Sequence, residues 1–163
     1  MVTIAKLTVG VLLTSLALAG PAAPQNLDVQ RYNPAEWTKG RFSEVVTVNG
    51  PGKTIYLAGV GAEDETSPAG ALPSVRHPGN VYEQCKYSYD KIKRLLATHG
   101  GTLGDAVKQV TYVTDIRFLA AVGRCRGEAF GSLPIPTNTF VAVSALAVEG
   151  MLVEIDVTAV VPK

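Results

Sequence analysis

Along residues 151–161, MLVEIDVTAVV, polar and apolar positions alternate near the C-terminal end of the chain. A period of two is that of a β-strand, so Val153, Ile155, Val157 and Ala159 share one face while Leu152, Glu154, Asp156 and Thr158 share the other. One face belongs to a core; the other carries two carboxylates. Further upstream, RFSEVVTV (41–48) alternates, NGPG supplies turn residues, and KTIYLAGV (53–60) is β-rich, which together predict a hairpin. The polar, turn-rich QNLDVQRYNPAEW before them reads as an arm. A stretch of Gly, Pro, Ser and acidic residues from about 61 to 79 reads as a long loop, mobile or forming a rim.

The clearest helix follows. Val81, Cys85, Ser88, Ile92 and Leu95/Leu96 recur on one helical face, with Lys86, Asp90, Lys93 and Arg94 away from it. Asn80 and Glu83 cap its start, and Gly100 ends it. DAVKQVTYVTD then reads as a strand, IRFLAAVGRCRGEAF as a shorter helix with Arg117, Arg124 and Arg126 on its solvated face, and TNTFVAVSAL and LVEIDVTAVV as strands. The order β-β-α-β-α-β-β predicts an α+β fold, a mixed sheet with both helices packed on one face. The uncovered face, half apolar, calls for self-association.

Composition narrows the picture. The 163 residues are 47% hydrophobic and 18% charged, which fits one folded domain. Fifteen Lys plus Arg against fourteen Asp plus Glu leave a formal +1, so no field is available to recruit nucleic acid or an anionic membrane. The start of the chain is different: Lys6, an apolar run from Leu7 to Ala19, then small residues through Ala23. That is the layout of a signal peptide, and the run is shorter than the roughly 20 residues a membrane span needs. The expected organisation is a leader at 1–23, an arm at 24–39 and a domain at 40–163, in a periplasmic or secreted protein. The alternative is a cytoplasmic protein with a frayed hydrophobic N-terminus. Export would permit a disulfide between Cys85 and Cys125, but each lies on the apolar stripe of a helix and the expectation is two buried free thiols. His77 and His99 stand alone, so no metal and no cofactor is expected.

Several motifs resemble one known family. TIYLAG is similar to the hydrophobic strand ending in Ser-Gly, VKQVTYVTDIRFLAAV to the strand and second helix, and PTNTFVAVSALAVEGMLVEIDVTAVV to the C-terminal signature of the RidA (YjgF) family of enamine/imine deaminases, also labelled L-PSP endoribonucleases. The resemblance spans about residues 40–161. It implies a chorismate-mutase-like subunit in a homotrimer whose sheets form a barrel, with small-molecule pockets at the subunit clefts. Glu154 would be the carboxylate that positions or activates water, and Gly59 would belong to the pocket wall.

The match is incomplete where substrate is held. The family arginine of Pro-x-Arg, which forks onto a substrate carboxylate, is Asn138 here, and asparagine offers no charge and no paired equivalent donors. The family's Gly-Pro-Tyr is Gly40-Arg41-Phe42, its serine is Ala58, and an asparagine on the second helix is Gly123. Arg41, beside Phe42, either projects a guanidinium into the cleft as a substitute cation or is a surface arginine near a loop. These departures argue against the family's standard hydrolysis of 2-iminopropionate. Two uses of the cleft stay open, with no nucleic-acid or membrane partner in either. One is hydrolysis or deamination of an enamine, imine or related neutral molecule by Glu154 with Asn138 orienting substrate. The other is a non-catalytic trimer binding a small ligand against Phe42 and Ala58. A ribonuclease, suggested by the family label alone, is disfavoured by the neutral charge.

Overall fold

The computed structural model describes residues 26–163. The leader assigned to residues 1–23 lies outside them. In chain order the strands are β1 (Asp28–Tyr32), β2 (Val45–Asn49), β3 (Gly52–Tyr56), β4 (Val60–Gly61), β5 (Ala106–Val113), β6 (Thr137–Ala142) and β7 (Val153–Pro162). The helices are α1 (Val81–Ala97), before β5, and α2 (Leu119–Phe130), between β5 and β6.

The main sheet runs β3-β7-β5-β6, with β4 also paired to β7. β5 and β6 are parallel and joined by the α2 crossover, while β7 is antiparallel to β3, β4 and β5. The mixed sheet with two helices on one face is therefore present. Val153, Ile155, Val157 and Ala159 of β7 are buried against Cys85, Tyr89, Ile92 and Leu96 of α1 and Val122, Cys125 and Phe130 of α2. Tyr89 and Phe130 meet edge to face at 6.0 Å.

The start of α1 is capped by the Asn80 side chain, which accepts from the Glu83 amide at 3.2 Å. Its buried face is rotated slightly from the expected one. Leu95 is exposed, whereas Gln84, Tyr89 and Lys91 are buried. Gln84 earns its place through backbone: it donates to the Gly150 carbonyl and accepts from the Leu152 amide, tying α1 to the entry of β7.

Three expectations need correction. β2 and β3 do not form a hairpin. β2 pairs with β1, so the segment read as an arm is half of a two-stranded ribbon, and β3 pairs with β7. The local turn NGPG favours a hairpin, but Ile55 of β3 needs burial and only β7 offers a core-facing partner, so tertiary packing overrides turn preference. β3 lies so tightly on β7 that a Cβ at Gly52 would fall 2.7 Å from Val160 Cγ1. The cysteines are not free thiols: Cys85 and Cys125 are disulfide-bonded, with Cα atoms 6.3 Å apart. Both sit on inner helix faces, and α1 packs beside α2; that neighbourhood is invisible in sequence spacing. Lastly, Arg117 pairs with Asp115 and Arg124 lies over the Tyr82 ring at 4.1 Å, as solvated arginines do, but Arg126 is half-buried and lines a pocket.

Candidate functional site

β7 places Glu154 and Asp156 on the face that the helices do not cover. There, with Gly59, Tyr112, Val143 and the 145–147 loop, they line an open cleft of about 330 Å³. In register, Glu154 stands opposite Tyr112 of β5 on one side and Gly61 of β4 on the other.

The approach of Gly59 is made by a bulge. Tyr56 pairs with Thr158 and Val60 with Ile155, so residues 57–59 oppose only 156 and 157. The extra residue brings the chain close to Glu154, and a Cβ at Gly59 would lie 1.8 Å from Glu154 Oε1. The present position of the Glu154 carboxylate therefore depends on the missing side chain of Gly59. Ala58 is exposed in the same bulge.

Glu154 sits among acids. Burial, then the negative charges of Glu63 and Asp156, hold its carboxyl above the usual carboxylate range. Glu63 is fixed by Lys91, whose buried ammonium lies 2.8 Å from Glu63 Oε2 and donates to the Gly61 and Glu63 carbonyls. The Gly61 amide donates to the same carboxylate at 3.0 Å. Thus a held acid faces a free one: the arrangement favours a carboxylate that takes up a proton.

The other expected residues lie elsewhere. Asn138 pairs in register with Gln109 and shares the helix-covered face of the sheet, opposite to that of Glu154. Its Oδ1 accepts from Gln109 Nε2 at 3.1 Å and Thr111 Oγ1 at 3.2 Å, and Tyr89 donates to Gln109 Oε1 at 3.0 Å. Burial drives the Tyr89 phenol pKa up. Phe42 packs edge-on to Trp37 at 5.4 Å. Gly40, Arg41 and Gly123 line a second pocket of about 290 Å³ beside α2, together with Arg126. Within the chain, then, the structure joins Glu154 with Gly59, and Arg41 with Gly123, and leaves Asn138, Phe42 and Ala58 outside the lining of both clefts.

Residues 34–161 match the endoribonuclease L-PSP family. The chain belongs to that family, which is the RidA/YjgF family. YyfB of Yersinia pestis, a protein of unknown function of the conserved Rid family, is 25% identical, with a TM-score of 0.71 over 84% of this chain and 100% of its own. A YjgF/YER057c/UK114 family member from Mycobacterium tuberculosis is 26% identical over 82% and 100%, with a TM-score of 0.55. A protein of unknown function from Pseudomonas aeruginosa is 30% identical over 82% and 92%, at 0.55. No curated protein matches significantly.

Three residues that line or face the two clefts of this RidA-family chain were not among those expected from sequence: Tyr112, Glu63 and Arg126. Tyr112 carries a readable signal, since in VKQVTYV it falls two from Val110, on the face opposite Gln109 and Thr111. Glu63 and Arg126 carry none, because a long loop hides the first and a weakly amphipathic, glycine-interrupted helix hides the phase of the second.

Proposed function

We propose that this RidA-family protein is exported and acts, through the Glu154 cleft, as a hydrolase of small neutral enamines, imines or related carbonyl-derived molecules. The observation that carries this reading is Glu154 itself: a carboxylate in a cleft, held against Gly59, with its proton affinity raised by burial and two neighbouring acids. Such a group accepts a proton from attacking water and returns it to the leaving nitrogen. Among the described residues the cleft lining contains two carboxylates and no cation, which disfavours an anionic substrate such as 2-iminopropionate. Asn138 is bonded into the helix side, so it does not replace the missing arginine.

The open face also supports a homotrimer with sheets turned inward. Tyr56 on that face is 79% exposed and stands opposite half-buried Thr158, with half-buried Tyr112 further along the same face. The Cys85–Cys125 disulfide fits an oxidising compartment, in keeping with export. A cleft that only binds its ligand is the second reading, favoured by the apolar Val143, Ala145, Leu146 and Ala147 lining. The test is a panel of imines generated by an amino-acid or amine oxidase, with semicarbazide trapping what survives. Turnover that disappears in Glu154→Gln is expected. Equal turnover in that variant, or none in the wild type, overturns the catalytic reading. Light scattering reads the mass, and a monomer at micromolar concentration overturns the trimer.

A further inference from the structure

Among the described residues Lys91 is the only charged side chain that is buried outright, at 8% exposure. It projects from the buried side of α1, where an apolar side chain is the ordinary occupant. All three of its N–H groups are used: Glu63 Oε2 accepts at 2.8 Å, and the carbonyls of Gly61 and Glu63 accept at 3.1 Å each. A buried ion pair adds little net stability over an apolar pair of the same volume, because both charges give up water. Stability is a weak reason for a lysine here. Its bonds point instead to what it holds in place.

That is the segment across from Glu154. Gly61 pairs in register with Glu154, its amide donates to Glu63 Oε2 at 3.0 Å, and a Cβ at Gly61 would lie 3.3 Å from the same oxygen. The glycine leaves room for the Glu63 carboxylate to fold back beside β4. On its other side Glu63 is bridged to Val75, and the Ala62 carbonyl accepts from the Arg76 amide at 2.8 Å, so the backbone that carries Glu63 is held as well. The groups that Glu154 meets are then few. Glu63 faces it from the segment after β4, Asp156 from its own strand and the Tyr112 phenol from β5, while the 145–147 loop adds no ionisable side chain. From α1, charge reaches Glu154 through Lys91 and Glu63.

We propose that Lys91 is a positioning residue for Glu154, acting through Glu63: it holds the Glu63 carboxylate beside Gly61 and so fixes where the negative charge that Glu154 meets is placed and how much of it is left. The inference rests on the reading of Glu154 as the working carboxylate of the cleft. Its sign is definite. Without the ammonium, Glu63 is an uncompensated acid, and Glu154 keeps its proton to higher pH. Without the Glu63 charge, the ammonium is uncompensated, and Glu154 gives up its proton at lower pH. A pair that served packing alone would change stability in both cases and would not move the ionisation of Glu154 in opposite directions.

The experiment follows the Glu154 carboxyl carbon by NMR through a pH titration of the full mature protein, the signal being assigned by its loss in Glu154→Gln, with kcat/KM profiles on the imine panel run in parallel. Glu63→Gln should lower the midpoint and Lys91→Met should raise it, each by about twofold or more in the proton-binding constant. Lys91→Arg, which keeps the charge, should stay near wild type. The double variant Glu63→Gln with Lys91→Met should fall between the two single variants. If Lys91→Met does not fold, a midpoint in the double variant above that of Glu63→Gln carries the same result. Unmoved midpoints, shifts of one sign in both single variants, or a Lys91→Arg midpoint raised as far as that of Lys91→Met each overturns the proposal. Opposed shifts in a protein that turns over none of the imines would sink the catalytic reading and leave this one standing. Turnover that needs Glu154 but whose acid limb ignores Lys91 and Glu63 would do the reverse.

Discussion

The two faces of the main sheet treat polar side chains in opposite ways. Under the helices, Tyr89, Gln109, Thr111 and Asn138 form a closed set in which each polar group answers another, and Cys85 and Cys125 are covalently joined beside it. On the open face, Glu154 stands near Glu63 and Asp156, the cleft is lined by no cation among the described residues, and Lys91 is already committed to Glu63. A satisfied network stabilises; an unsatisfied charge is available. The difference separates residues that build this RidA-like fold from residues that can meet a ligand.

Changes on the covered face should therefore act mainly on stability. The largest effect is expected for Cys85→Ser with Cys125→Ser. The bond closes a loop with a sequence separation of 40, and chain entropy of a loop that size is about 4 kcal/mol. Thermal melts of wild type with and without reductant, and of the double variant, should show a fall of ten degrees or more; coincident melts would break the assignment of this bond as a main staple. Next comes Gln109→Leu, which strands the Tyr89 hydroxyl and deprives Asn138 and Thr111 of a donor. About 2–3 kcal/mol should be lost in denaturant titration. A loss below about 0.5 kcal/mol would show that the network contributes little.

What the sequence revealed divides along similar lines. The period of β7 and the stripe of α1 were legible because both are local patterns; alternation put Glu154 on the open face, and the family resemblance singled it out as the candidate carboxylate. The β2–β3 hairpin was misread because pairing is decided by a distant strand, and the disulfide because helix–helix adjacency has no spacing signature. Asn138 illustrates a further limit. In TNTFVAV neither alternating set is cleanly apolar, so the face of each residue depends on register with β5, and a shift of one residue reverses it. Arg126 was hidden by the small residues around it, since LAAVGRCRGEAF defines no strong stripe from which to phase the helix.

On the open face, stability should change little while function changes much. Gly59→Ala puts a Cβ where Glu154 Oε1 now sits, and the movable partner is a side chain. The backbone conformation suits alanine, so the cost to folding should stay below about 1 kcal/mol. Displacement of the carboxylate by about 1 Å should lower turnover by roughly 100-fold, seen as a loss in kcat. Undiminished kcat would show that Glu154 does not work from its present position.

The smallest effect on stability, and the one of opposite sign, is expected for Glu154→Gln. Its folded-state pKa lies above the ordinary glutamate value, so the native state binds the proton more tightly than the unfolded chain does. In the window from about pH 4.3 up to that raised value, stability contributed by this group falls as pH rises, and above it the cost of ionisation is fully present. Glutamine removes the charge and its repulsion with Glu63 and Asp156. The variant should melt about 2 °C above wild type at neutral pH, a shift kept small by solvent screening, and the gain should vanish below pH 4. The same raised pKa sets activity in the reverse sense. A general base must be ionised, so the acid limb of kcat/KM in the wild type should lie above the range of a free glutamate, at the upper end of the pH window over which the stability difference between the two proteins develops. A destabilised Glu154→Gln at neutral pH would mean that the carboxylate is held by bonds to its surroundings and belongs, after all, with the structural polar groups of the covered face.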